Sequence, residues 1–137
     1  MNPTVKNVLV VIAGFFIGCV VNMSIILGGT SLIGFPEGVD PTDVDSIKNG
    51  IHLFEPIHFL TPFLAHAIGT LVGAFFVARF GTSKKRVLAM TVGGLFLLGG
   101  ISNSFSIPAP MWFTVLDLVV AYIPMAYLGW KLGSREN

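Results

Sequence analysis

Apolar residues run through this chain in four long blocks, and short polar stretches separate them. The blocks cover about residues 7–32, 61–80, 87–105 and 111–130. A helix needs roughly 20 mostly apolar residues to cross the hydrocarbon core of a bilayer, and each block reaches about that length. The pattern therefore predicts an all-α, polytopic membrane protein in which four transmembrane helices form one bundle, a single domain over residues 1–137.

The composition makes lipid the better solvent for such a chain. Hydrophobic residues make up 53% of the 137 positions and charged residues only 11%, whereas soluble domains carry about a quarter charged residues. The mean hydropathy is +0.82. The first block is too long for the apolar region of a secretory signal, and no small-residue cleavage site follows it, so we interpret it as a retained span. The single cysteine, Cys19, excludes an intrachain disulfide.

The charged residues predict how the chain sits in the membrane. Most basic residues fall at the amino terminus, in the loop after the second span, or near the carboxyl terminus: Lys6, Arg79, Lys84, Lys85, Arg86, Lys131 and Arg135. With four spans these three places share one side, and basic loops stay in the cytoplasm. Only Lys48 lies on the other side, beside most of the acidic residues. We therefore expect both termini in the cytoplasm, the loop at residues 34–60 outside, and a location in a bacterial inner membrane.

This outer loop contains a predicted short helix between the first and second spans, which lies either on the membrane surface or over the helix bundle. Asp40 is a suitable N-cap, Pro41 suits the first helical position, and Gly50 suits the end of the helix. The acidic residues of the loop lack the ligand spacing and the closing glutamate of an EF-hand. We interpret them as a solvated face.

The second span begins in a proline-containing stretch, IHLFEPIHFLTPFLAHAIG, which holds all three histidines. One interpretation makes Thr61 the N-cap and Pro62 the first helical residue. In the other, the helix begins at Pro56 and bends at Pro62. Both interpretations place three polar side chains near the outer interface and a fourth one to two turns deeper, namely His52, Glu55 and His58, followed by His66.

The strongly polar groups inside the spans all fall in the outer half of the membrane. They are Asn22 in the first span, His66 in the second, Asn103 in the third and Asp117 in the fourth. Small residues share their helix faces, as Gly18 and Gly14 do one and two turns before Asn22, and small residues let membrane helices approach closely. We therefore expect the polar side chains, with His52 at the interface, to form one pocket that opens outward.

A metal site is one use for such a pocket. The side chains that offer nitrogen and oxygen ligands suited to zinc or another divalent metal are His58, His66, Glu55 and Asp117. The spacing of His52, Glu55 and His58 differs from the helical H-E-x-x-H motif, and Pro56 interrupts it. A proton-responsive pair of His66 and Asp117 fits the sequence equally well.

Asp117 is the residue on which the functional prediction depends. A carboxylate at this depth costs on the order of 2.5 kcal/mol or more, and ionisable residues inside membranes are functional candidates. We expect a small integral membrane protein that binds or conducts a small cation, proton or polar solute at the outer pocket. Its GxxxG faces are candidate contacts for a homo-oligomer. The alternatives are a membrane-embedded metal-dependent enzyme, which we favour less, and a structural or accessory subunit.

Other classes of protein are excluded by the residues that the sequence lacks. No lysine lies inside a span, which excludes a retinal Schiff base, and no C-x-x-C-H motif is present for haem attachment. Phosphate-binding and dinucleotide-binding loops are also missing. The basic GTSKKR loop is a determinant of topology rather than a nucleic-acid site. The expected partners are the lipid bilayer, a small solute and a second copy of the chain.

Overall fold

The computed structural model describes residues 1–134, and this part of the chain is helical without a strand. The α-helices are α1 (Pro3–Ile33), α2 (Val44–Gly50), α3 (Leu60–Phe80), α4 (Lys85–Ser106), α5 (Met111–Val120) and α6 (Ile123–Gly133), with 3₁₀ turns at Ile51–Leu53 and Pro56–Phe59. Four stretches are long and apolar enough to cross a membrane: Pro3–Ile33, Pro56–Phe80, Lys85–Ser106 and Met111–Gly133. The predicted all-α class with four such helices is confirmed. Arg135, which the charge pattern includes, lies outside the described residues.

The second long helix begins earlier than Pro62. A 3₁₀ turn at Pro56–Phe59 leads directly into α3, whose N-cap position is Phe59, so the prediction that Thr61 caps the helix is wrong. Tertiary packing accounts for this difference from the prediction, because the Thr61 side chain is buried against Gly29 of α1. Burial there leaves Thr61 inside the helix, and Pro62 is tolerated because it lies within the first turn of α3.

The short helix of the loop also begins later than the sequence predicts. Its N-cap is Asp43, whose carboxylate accepts a hydrogen bond of 3.0 Å from the amide of Asp45. Asp40 instead closes the preceding turn, where its carboxylate accepts hydrogen bonds from the amide and the hydroxyl of Thr42 at 2.8 and 2.7 Å. These bonds stabilise the charged form and hold the pKa of Asp40 below its usual value.

The fourth apolar stretch is two helices rather than one continuous span. Pro124 has no amide hydrogen to donate to the carbonyl of Val120, and its ring crowds that carbonyl. The helix accordingly stops at Val120, passes through a turn at Ala121 and Tyr122, and resumes at Ile123. The continuous helix predicted over residues 111–130 is therefore broken near its middle.

Helix α3 is the centre of the packing, and small residues bring its neighbours close. A Cβ atom added at Gly73 would lie 2.7 Å from the carbonyl oxygen of Gly14, and one at Gly69 would lie 2.8 Å from that of Gly18. On the opposite side, a Cβ atom at Gly129 of α6 would lie 2.5 Å from the carbonyl oxygen of Leu71. The Gly14–Gly18 stripe therefore packs against α3 of the same chain. It is not free for the homo-oligomer contact that the sequence suggested.

We expect Gly73→Ala to destabilise the protein because the new methyl group must push α1 away from α3. Overpacking of this kind costs about 1–3 kcal/mol, and a glycine-to-alanine change returns at most about 1 kcal/mol through helix propensity. Gly94→Ala is the matched control, since no atom lies within 4 Å of a Cβ atom at that position. Unfolding in detergent should show a lower midpoint for Gly73→Ala and an equal or higher one for Gly94→Ala.

Candidate functional site

Three elements converge on the carboxylate of Asp117. The Nδ1 atom of His66, on α3, lies 2.8 Å from Oδ1 and 3.1 Å from Oδ2 of Asp117, on α5. The hydroxyl of Tyr122, in the turn between α5 and α6, donates a hydrogen bond of 2.9 Å to Oδ2. The Asp117 side chain is only 7% exposed and that of His66 15%. The buried carboxylate is thus satisfied by two donors, one 51 residues earlier in the chain and one five residues later.

The break before Pro124 is what brings Tyr122 to this site. In a continuous helix, residues five apart do not share a face, yet the turn directs the Tyr122 hydroxyl back to Asp117. Tyr122 is fully buried, and its ring occupies the space beside Gly100 of α4, where any side chain would collide with it. Gly100 therefore makes room for the residue that fixes the carboxylate.

The contact with Asp117 also orients the imidazole of His66. A carboxylate only accepts hydrogen bonds, so Nδ1 carries the proton, and in the neutral ring Nε2 is left as an acceptor. The ring stacks on Tyr122, with centroids 5.7 Å apart and planes inclined by 28°. No residue of the described chain bonds to Nε2. His66 can therefore accept a proton or a hydrogen bond from a molecule beside it.

His66 and Asp117 line a cavity of about 480 Å³. Aromatic side chains form much of its wall: Phe15, Phe35, Phe54, Phe59, Phe96 and Phe113. Phe35 and Phe54, from the loop between α1 and α3, meet edge to face with centroids 5.5 Å apart. Phe59 packs on Phe113 at 4.7 Å. The cavity therefore combines apolar walls with a buried acid and a base at one point.

The structure brings together some of the residues predicted for the site and leaves others apart. Asn22, His58 and Asn103 line the cavity with His66 and Asp117. The Asn22 Oδ1 atom is buried and has no hydrogen-bond partner within residues 1–134. His52 and Glu55 are exposed and do not line the cavity.

The predicted metal ligands do not gather into one group. Over the described residues, no three His, Cys, Asp or Glu side chains lie close enough together to hold a metal ion. His58 has a local role instead, because its Nδ1 accepts a hydrogen bond of 2.9 Å from the amide of Glu55. The geometry gives no support to zinc binding by His58, His66, Glu55 and Asp117 together.

Tyr122 is the site residue that sequence reasoning missed. On a regular helix, the spacing of Tyr122 from Asp117 would not bring the two side chains together. The residue that could have indicated the contact is Pro124. A proline this far inside a span predicts a break about four residues earlier, and a polar aromatic residue at a break can turn toward the protein interior.

We expect Tyr122→Phe to lower stability, because it removes one of the two donors to a buried carboxylate. Hydrogen bonds to charged groups contribute about 1.5–3 kcal/mol. Tyr127→Phe is the matched control, since Tyr127 is 39% exposed and the change keeps the ring over which Arg86 and Lys131 lie. Equal unfolding midpoints for the two variants would contradict the role assigned to the Tyr122 hydroxyl.

Comparison with known proteins gives no relative from which a function could be transferred. No family model matches the sequence, and neither a curated protein nor a solved structure is similar to it.

Proposed function

We propose that this protein is an integral membrane protein that binds a small cation, proton or polar solute in the cavity at His66 and Asp117. The cavity opens to the outer side of a bacterial inner membrane, and both termini are cytoplasmic. The observation that carries the proposal is a buried carboxylate, joined to a histidine with a free Nε2 atom, on the wall of a cavity of about 480 Å³.

The surface of the long helices supports a membrane location. Large apolar side chains point outward from each of the four stretches, among them Phe16 at 68% exposure, Phe80 at 53%, Leu98 at 64% and Val119 at 63%. In water such a surface would promote aggregation, whereas hydrocarbon tails solvate it without cost.

Contacts among the basic segments support the predicted orientation. The side chain of Asn7 accepts a hydrogen bond of 2.9 Å from the amide of Thr82, which joins the start of α1 to the loop before α4. The guanidinium of Arg86 lies 5.4 Å from the centre of the Trp130 ring, near the end of α6. The amino terminus, the basic loop and the end of α6 are therefore neighbours, as one cytoplasmic side requires.

The energetics of Asp117 favour a functional role over a structural one. An acid at membrane depth costs on the order of 2.5 kcal/mol or more, and the two hydrogen bonds that Asp117 accepts, at about 0.6–2 kcal/mol each, only offset this cost. A neutral amide could join the helices at lower cost. The carboxylate adds a negative charge in the cavity, and the acidic residues of the loop, such as Asp43 and Asp45, would raise the local concentration of cations.

The proposed orientation is tested with single cysteines in a Cys19→Ala background. We expect Asp45→Cys to react with a membrane-impermeant maleimide in intact cells and Ser83→Cys to react only after the membrane is opened. Labelling of Ser83→Cys in intact cells would reverse the orientation and contradict an outward-opening cavity.

The proposed binding is tested with methylammonium as the probe. A ligand that binds only the folded protein raises its stability in proportion to RT ln(1 + [L]/Kd). We expect methylammonium chloride to raise the unfolding midpoint of the purified protein above the effect of equal sodium chloride, and Asp117→Asn to abolish the difference. Glu37→Gln, which removes an exposed acid of the loop, should retain it. If neither methylammonium chloride nor a larger organic ammonium chloride stabilises the wild-type protein more than sodium chloride does, the proposed binding of a cation is wrong.

A further inference from the structure

We infer that the occupant of the cavity is an amphipathic organic cation: an ammonium group with N–H donors, joined to a compact apolar or aromatic body. This inference rests on the proposed binding of a cation at Asp117 and names the class of molecule that the cavity fits.

The size of the cavity points to a molecule rather than a bare ion. Pockets for small organic ligands enclose about 300–1,000 Å³, and this cavity of about 480 Å³ falls in that range. An inorganic cation needs several oxygen or nitrogen ligands to replace its water. Across residues 1–134, no three acidic, histidine or cysteine side chains are gathered for that purpose. A bare ion would thus keep most of its water in an aromatic cavity.

At the Asp117 end of the cavity, the carboxylate and the imidazole of His66 present a negative charge and a free acceptor, which favours a ligand that donates. Asp117 brings a negative charge, and the free Nε2 of His66 is an acceptor when the ring is neutral. An anion would meet repulsion here, and a hydroxyl group has a single hydrogen to donate. An ammonium group supplies up to three N–H donors and neutralises the charge.

The aromatic walls complement both halves of such a ligand. Phe15 and Phe96 pack with ring centroids 5.0 Å apart on one side of the cavity, and Phe59 and Phe113 pack at 4.7 Å on another. Faces of aromatic rings attract cations, by about 2 kcal/mol or more when water is excluded. The same rings bury the apolar body of a ligand, which methylammonium lacks and an arylalkylamine has.

A series of three probes on the wild-type protein tests this inference. The probes are 2-phenylethylammonium, its neutral counterpart 2-phenylethanol, and methylammonium, with affinities measured by calorimetry in detergent. We expect 2-phenylethylammonium to bind at least tenfold more tightly than either of the others. Asp117→Asn should reduce the preference for the charged probe over 2-phenylethanol to less than threefold.

The contribution of the walls is tested with Phe113→Ala, which should reduce the preference of 2-phenylethylammonium over methylammonium. Phe105→Ala is the control, because Phe105 is 85% exposed and does not line the cavity. If Phe113→Ala fails to fold, the probe series on the wild-type protein still decides the question.

The outcomes separate this inference from the proposed function. If methylammonium binds at Asp117 as tightly as 2-phenylethylammonium, the organic body contributes nothing and the inference is overturned, while the proposed function stands. If 2-phenylethanol binds as tightly as 2-phenylethylammonium, the charge is irrelevant and the inference is also overturned. If neither cation binds, both proposals fail.

Discussion

A carboxylate buried among apolar helices must be hydrogen-bonded or it destabilises the fold, and Asp117 meets this requirement through His66 and Tyr122. Each donor depends on a further feature of the chain. His66 reaches Asp117 because α3 packs at the centre of the molecule. Tyr122 reaches it because Pro124 ends α5 and because Gly100 leaves room for the phenol ring. The break in the fourth span, which would weaken an isolated helix, is therefore part of what makes the acid tolerable.

Small residues hold the second half of α3 close to its neighbours. Around Gly69 and Gly73 the backbones of α1 and α3 nearly touch, and Gly133 of α6 packs in the same way on Phe75. The cavity lies toward the start of α3, where the loop between α1 and α3 contributes Phe35 and Phe54 to its wall.

The cavity bears on each of the functions that the sequence left open. A metal-dependent enzyme would need at least three ligands around one point, and the described part of the chain gathers only the pair of His66 and Asp117. The proposed binding of a cation would use the charge of Asp117, the free imidazole nitrogen and the aromatic walls together.

The sequence by itself determined that the chain forms four long apolar helices and that Asn22, His66, Asn103 and Asp117 belong to the same end of them, because length, hydropathy and helical rise are properties of the linear pattern. Tertiary structure decided which of these side chains meet. The helical period shows that Gly14 and Gly18 lie on one face of α1, but it does not show that α3 covers that face. Asp40 and Asp43 could each cap the short helix, and in the structure Asp43 caps it while Asp40 bonds to Thr42 in the preceding turn. The contact of Tyr122 with Asp117 exists only because the helix breaks between them, and its geometry depends on the space that α4 leaves at Gly100.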